Sequence, residues 1–454
     1  MFGFDVNGSA QSDDAILWEV VEEHLDEAEY LLEMRPRCLS SSSYTLDELD
    51  VRVEQRLLAH IDGLVVGGTP VAERLLTPAI CEDGAPAGKV TAAALALLSG
   101  MHADAALTRI VAALDDADPV RRTGLAQALR LAHEPRLPTL LARAVRTAQT
   151  AGTRAVLLQA LAAHRTDPGP LLGDTLASEE PGLVVAGLEA VAALGRGDCV
   201  RAVDAHLGAS DPRVRDAAIE AGLVLASRSA WQECQAIDAR PLPSDARRIL
   251  LTALLGHPER VRPYLDDPAL RCDTIFALGF GGRAGDAVTL LSLLHADDDR
   301  VCKLAGEAFC TITGFTPPDP PPAPEPPAIE DDADADEAAT LPPLEEDDLD
   351  ADLVPDAVDE LPLIDAVAAE TWWRAHHGRF NDASRWLCGR IFDLDALRAE
   401  LYGAPLRRRH ALATALRIAS GGRHTVATWA MARRQRTELA ALASVRAGDL
   451  PNRL

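Results

Sequence analysis

The sequence predicts an all-α fold, a right-handed α-solenoid of stacked helical hairpins, and three observations predict it. The first is a recurring helix start. Asp118-Pro119, Glu180-Pro181 and Asp211-Pro212 each open an apolar-periodic stretch; Pro181 and Pro212 are 31 residues apart, and Pro119 lies 62 before Pro181, two periods. An acidic side chain before a helix accepts from the free N–H groups of the first turn, and proline at the first helical position forfeits no hydrogen bond. A period of about 30 with a hairpin in each unit is a solenoid signature. The second observation is composition: 48% of the chain is apolar but only 4% aromatic, which suits closely packed Ala/Leu helices better than a β-sandwich. The third is spacing. Val214, Ala217, Ala218, Gly222 and Leu225 share one helical face, as do Val120, Leu125, Ala128 and Leu129 in an earlier unit, while Val184, Ala186, Leu188, Ala190 and Val191 line the unit between.

Taken in order, residues 1–82 read as an N-terminal helical cap. Ile16, Leu17, Val20, Val21, Leu25, Ala28, Leu31 and Leu32 repeat at helical spacing, and Thr45 with Glu48 forms a capping box before Leu49, Val53, Leu57 and Ile61. Gly67-Gly68 is expected to end that helix. A solenoid needs such a cap to cover its first apolar face. Residues 83–316 form the array, with hairpins at about Lys89–Leu114, then 118–145, 151–178, 179–208 and 210–237. A shortened unit opens at Ser244, the last full one near Asp267-Pro268, and Asp298 starts a closing helix that ends at Gly314.

Residues 317–364 change character. From Asp319 to Glu360 there are 17 acidic residues, many prolines and no Lys or Arg. Prolines block helix and sheet pairing and the charges repel, so an extended, disordered linker is expected. Residues 365–454 reverse the balance: from Thr371 to Arg446 there are 14 Arg against 5 acids, and four of the six tryptophans fall there. A separate C-terminal helical domain is expected, tethered by the linker.

The formal net charge of −26 argues against general nucleic-acid or anionic-membrane binding by the whole chain. Eight cysteines are scattered with no CxxC pair, the N-terminus lacks the basic and apolar regions of a signal peptide, and no run is long and apolar enough to span a membrane. A soluble, cytoplasmic protein is the expectation.

Motifs that could carry chemistry have structural readings. Gly279-Phe-Gly281-Gly-Arg-Ala284 matches a loose dinucleotide fingerprint, but a helix rather than a strand precedes it, so a turn between helices is expected, as at Gly195. His376-His377 are neighbours that point about 100° apart on a helix and make a poor metal pair. No catalytic motif is visible; no catalytic, cofactor-binding or metal residue is assigned, and no pocket of convergent polar groups is expected. The candidate binding residues are Trp372 and Trp373, of which one is expected to anchor the core and one to meet a partner, and Arg407, Arg408 and Arg409, the densest basic run. For the arginines three readings stand: a phosphate or nucleic-acid contact, docking of the chain's own acidic linker, or a solvated helix end.

The Asp-Pro, Val-Arg and Ala-Ala residues at the unit starts resemble HEAT repeats in their short bacterial form, the kind also present in bilin lyases. Val51-Arg-Val-Glu-Gln-Arg-Leu-Leu-Ala-His60-Ile-Asp62-Gly63-Leu is similar to the start of one bacterial HEAT-repeat family. Arg379-Phe, Arg385-Trp-Leu-Cys-Gly389 and Arg407-Arg-Arg-His-Ala-Leu-Ala are similar to its C-terminal segment, with Trp386 where that pattern has Tyr. Some members are encoded among type VI secretion genes. The resemblance implies a HEAT-like solenoid and a non-catalytic scaffold or adaptor that binds protein partners as an accessory of a secretion or effector system. The alternatives are a HEAT-repeat lyase-like enzyme, or nucleic-acid binding through the Arg-rich C-terminal domain.

Overall fold

The computed structural model describes residues 16–237, 245–317 and 356–450. They are all-α but for one two-residue antiparallel hairpin, β1 (Trp386–Leu387) with β2 (Arg390–Ile391).

The N-terminal region begins with α1 (Trp18–Ser40). Thr45 then caps α2 (Leu46–Leu49): its hydroxyl accepts from Glu48 N, and the Glu48 carboxylate accepts from Thr45 N at 3.0 Å, the reciprocal box that its spacing implied. The helix runs on through a π-helical turn at Asp50–Glu54 into α3 (Gln55–Val66). Gly67-Gly68 ends α3, as expected, but only for a single turn. Gly68 sits at φ +62°, and helix resumes as α4 (Gly68–Val71), a second π turn and α5 (Thr77–Cys81).

The hairpins follow: α6 (Ala87–Gly100) with α7 (Ala103–Asp115), α8 (Pro119–Leu131) with α9 (Leu137–Thr147), α10 (Ala151–Ala163) with α11 (Leu171–Leu176), α12 (Pro181–Leu194) with α13 (Val200–Ala205), and α14 (Pro212–Val224) with α15 (Arg228–Gln235). Asp118 accepts from Val120 N at 2.8 Å and Asp211 from Arg213 N at 2.9 Å. Thr150 does the same for α10, whereas the Glu180 side chain caps nothing. The expected cap Ser244 lies outside the described residues; α16 (Asp245–Leu254) is followed only by short 3₁₀ turns. Asp267-Pro268 forms a turn, and α17 starts later (Arg271–Gly281), paired with α18 (Ala284–Leu293). Asp298 caps α19 (Asp299–Thr313), which stops at Gly314.

First helix packs on first helix: α6 on α8, α8 on α10, α10 on α12, α12 on α14, then α16 on α17 and α17 on α19. These seams are apolar; Val90, Leu125, Leu157, Ala186 and Ala218 are fully or almost fully buried.

The C-terminal part is α20 (Ala366–His376), the β1–β2 hairpin, α21 (Leu394–Gly403), α22 (Leu406–Ala419) and α23 (Ala432–Leu442). It folds back on the rest. α22 packs against α1, α14, α16 and α21, and Leu397, Leu401, Leu412 and Leu416 join the same core as α1, α3, α6, α8 and α10. Buried Arg35 pairs with Glu54 at 2.9 Å and donates to Ala430 O, while Glu54 accepts from Ala432 N and so caps α23 from the far end of the chain. These contacts replace the free tether expected from the sequence. Most of the acidic segment, residues 318–355, lies outside the described residues. Its last part is packed, not extended in solvent: Val358 and Leu361 are buried, Asp356 pairs with Arg300 at 2.7 Å, and Glu360 accepts from Ser41 Oγ at 2.7 Å. Val358 and Leu361 join the apolar cluster that contains Leu304, Ala308 and Phe309 of α19.

Candidate functional site

Where α22 crosses the first helices of the array, a cavity of about 840 Å³ remains. Its array wall is built by helical spacing. Val185, Glu189 and Ala192 line it from α12, and Arg213, Asp216, Ala217 and Glu220 from α14; Gln159 and Arg247 extend the wall from α10 and α16. Opposite stand His410, Ala413, Thr414 and Arg417 of α22, with Trp429 and Arg434 beyond.

The wall carries a polar ladder. The ninth residues of α10, α12 and α14 are Gln159, Glu189 and Glu220. Gln159 donates to Glu189 at 3.0 Å. Glu220 is clamped by Arg247 at 3.0 Å and, from α22, by Arg417. Burial pushes the Glu220 carboxyl up, but the Arg417 and Arg247 guanidiniums outweigh it and hold it below the usual range. Burial pushes Glu189 upward, against the Gln159 hydrogen bond. His410 is pushed down to about 4 by burial; its ring nitrogens meet Thr428 Oγ1 at 2.7 Å and Leu39 O at 2.9 Å, and it stacks on Trp429 with centroids 4.2 Å apart. Asp216 accepts from Arg248 at 3.3 Å.

Overall the lining holds seven arginines and three carboxylates, in a chain whose formal net charge is −26. Arg165, at φ +52°, donates to Gly422 O at 3.0 Å, and its Nη1 finds no acceptor; neither does Arg417 Nε. This convergent polar cavity corrects the expectation that none exists. Residues far apart in sequence make it, yet the ladder left a trace: a polar residue at one position of successive apolar helices, 30 and 31 residues apart.

The predicted binding residues lie elsewhere or face inward. Trp372 and Trp373 are both half-buried and both pack on Phe309, at 6.3 and 6.0 Å between ring centroids, so the expected split into core and partner faces does not occur. Phe315 and Phe380 flank them and close both sides. The three arginines diverge around α22, as 100° steps require. Arg407 lies over the Phe276 ring and 3.7 Å from Glu307, at the edge of the cavity. Arg408 donates to Thr311 Oγ1 at 3.2 Å. Arg409 is fully buried, donates to Leu401 O at 2.6 Å and Gln435 Oε1 at 2.8 Å, and is pushed down to about 10 by burial. A buried Arg409 cannot be a surface contact, and the run is not a solvated helix end. The described end of the acidic linker bonds Arg300, Lys303 and Ser41 rather than this run, and docking by residues 318–355 falls outside those described.

Gly279 and Gly281 lie inside α17, and Gly282 ends it at φ +69°, a turn as expected. His376 and His377 each turn Nδ1 to a backbone carbonyl, and no cluster of three potential metal ligands exists among the described residues. Nor, among those residues, is any helix long and apolar enough to cross a membrane. No protein-family model matches the chain, and no curated protein matches it.

Proposed function

We propose that the protein is a non-catalytic adaptor, a HEAT-like α-solenoid that binds a protein partner, and that it serves a type VI secretion or effector system in the cytoplasm, as the sequence resemblance implies. The observation that carries the solenoid reading is the unbroken stacking of α6, α8, α10, α12 and α14 at the period of the Asp-Pro starts. Arrays of this kind offer long surfaces to other proteins. The face made by the first helices is occupied by α22, so the partner is expected on the second helices, where Thr139, Arg143 and Arg146 of α9 are exposed. The absence of catalysis is supported by the state of the cavity's acids and base: Glu189, Asp216, Glu220 and His410 are each engaged by a structural partner. The nucleic-acid alternative loses support because Arg398, Arg408, Arg409 and Arg436 are turned to carbonyls, hydroxyls and carboxylates of the protein itself.

The test is purification of the tagged full chain from its own host, beside an Arg143→Glu/Arg146→Glu variant. One protein recovered in stoichiometric amount with the wild type and lost with the variant is the expected result. Identical recovery with both would place the partner elsewhere, and stoichiometric recovery of nothing would remove the adaptor reading.

A further inference from the structure

The cavity beneath α22 has a chemistry of its own, and it does not depend on the adaptor reading. We propose that it is a binding site for a phosphate-bearing small molecule.

Charge is the first argument. Seven arginines line the cavity against three carboxylates, and Arg213, Arg407 and Arg434 are paired with Asp211, Glu307 and Glu438 beyond that lining. Glu220 is shared by Arg247 and Arg417, and Asp216 is taken by Arg248. Arg165 leans on backbone carbonyls alone, and Arg130 is exposed at the rim. Arg165 and Arg130 are thus the two lining guanidiniums without an ion pair among the described residues, and an anion in the cavity would meet them.

Donor count is the second. Arg165 Nη1 and Arg417 Nε lack acceptors, so these walls carry more N–H groups than the protein can satisfy. A phosphate brings about two negative charges and three acceptor oxygens, and guanidinium recognises it in bidentate fashion.

Size and surface are the third. At about 840 Å³ the cavity far exceeds a bare ion. Between the arginines its lining is Val185, Ala192, Ala217 and Ala413. Trp429 has one ring face stacked on His410 and is 51% exposed. An anionic head against the arginines and a planar or apolar body against this surface is the ligand such a lining suits.

The experiment uses the full chain with AMP as probe, read by thermal shift and calorimetry, with adenosine and inorganic phosphate beside it. AMP is expected to bind and to raise the melting temperature by about 3 °C at roughly a hundredfold excess over its Kd. Adenosine should bind at least about tenfold more weakly, since it lacks the charge. Arg130→Ala, at an exposed position, should weaken AMP by about tenfold. Ala217→Asp puts a carboxylate into the cavity and should abolish binding while the variant still melts cooperatively. The proposal is overturned if AMP neither binds nor shifts the melt, if adenosine binds as tightly, or if both variants bind like wild type. Tighter binding of a hexaglutamate peptide than of AMP also overturns it, in favour of a carboxylate-rich chain as occupant.

Discussion

Two seams hold this molecule together, and they are made of different material. Between successive hairpins the contact is apolar and local: α12 meets α14 through side chains such as Leu188 and Ala218, both fully buried. Between the array and the returning C-terminal segment, long-range polar bonds are added to a shared apolar core. Arg385 donates to Phe280 O at 2.9 Å, Trp386 N to Gly282 O at 2.8 Å, and Gly389 N to Ile312 O at 3.0 Å. The acceptors sit at the C-terminal ends of α17 and α19, where a helix leaves carbonyls unpaired. One seam removes apolar surface from water. The other satisfies backbone groups that the first leaves over, so the second helps complete the array.

The sharpest way to break this contrast is a pair of neighbours. Ala218→Asp buries a carboxylate in the hairpin seam, where Ala218 is fully buried, and should cost about 4 kcal/mol in urea unfolding. Ala217→Asp, one position earlier, faces the cavity and should stay within about 1 kcal/mol of wild type. The sequence alone assigned Ala217 to the buried face. Equal destabilisation by the two would mean that the cavity is as dry as the seam.

Next comes the polar seam. Gly282→Val forces a β-branched residue to φ +69°, with its Cβ 2.5 Å from Trp386 O. A loss of about 3 kcal/mol is expected, along with release of the β1–β2 hairpin to proteolysis. A melt like wild type's would show that the hairpin does not need this turn.

A pH titration sharpens the comparison from the cavity side. Burial holds His410 at about 4 against an ordinary 6.5. The unfolded chain therefore takes up the proton first, and the contribution is present above 6.5 and lost as pH falls toward about 4, some 2–3 kcal/mol. The stability advantage of wild type over His410→Gln should shrink across that window. An advantage equal at pH 7 and at about 4.5 would exclude a buried neutral imidazole.

The smallest effect belongs to the acidic segment. Asp356, Asp359 and Ile364 meet Arg300, Lys303 and Gly306 in turn, so this stretch runs along α19 from its start. Deleting residues 320–360, most of the expected linker, strips Val358 and leaves too little chain to return along that helix. Deleting 325–350 leaves roughly 40 Å of reach against a helix of roughly 22 Å, and the urea midpoint should correspond to a change within about 0.5 kcal/mol. A larger loss would assign the removed residues a place in the fold.

What was legible follows from range. The Thr45–Glu48 box, the starts at Pro119, Pro181 and Pro212 and the left-handed turns at Gly195 and Gly282 are set by residues within a few positions of one another. Caps and periodicity report them directly. The cavity joins Glu220 to Arg417, 197 residues apart, and Arg35 reaches Ala430, 395 apart. No local pattern encodes such pairs. Charge misled for a related reason: a basic segment suggests a surface, yet Arg408 and Arg409 serve as inward donors because α22 is covered on every side. The tryptophan pair misled because the two-face argument gave each ring its own side, whereas Phe309 meets both and Phe315 and Phe380 flank them.

The return of the C-terminal segment has a consequence for evolution of length. Arg434 reaches Ala163 O, Gly421 and Gly422 press against Gly195, and Arg385 grips the carbonyls ahead of Gly282. These stations are spaced by the hairpins between them. An open row of repeats can gain or lose a member and merely grow or shorten. Here an extra hairpin after α13 would carry one station about 10 Å out of phase with the next, so the clasp acts as a ruler that fixes how many units the chain can hold.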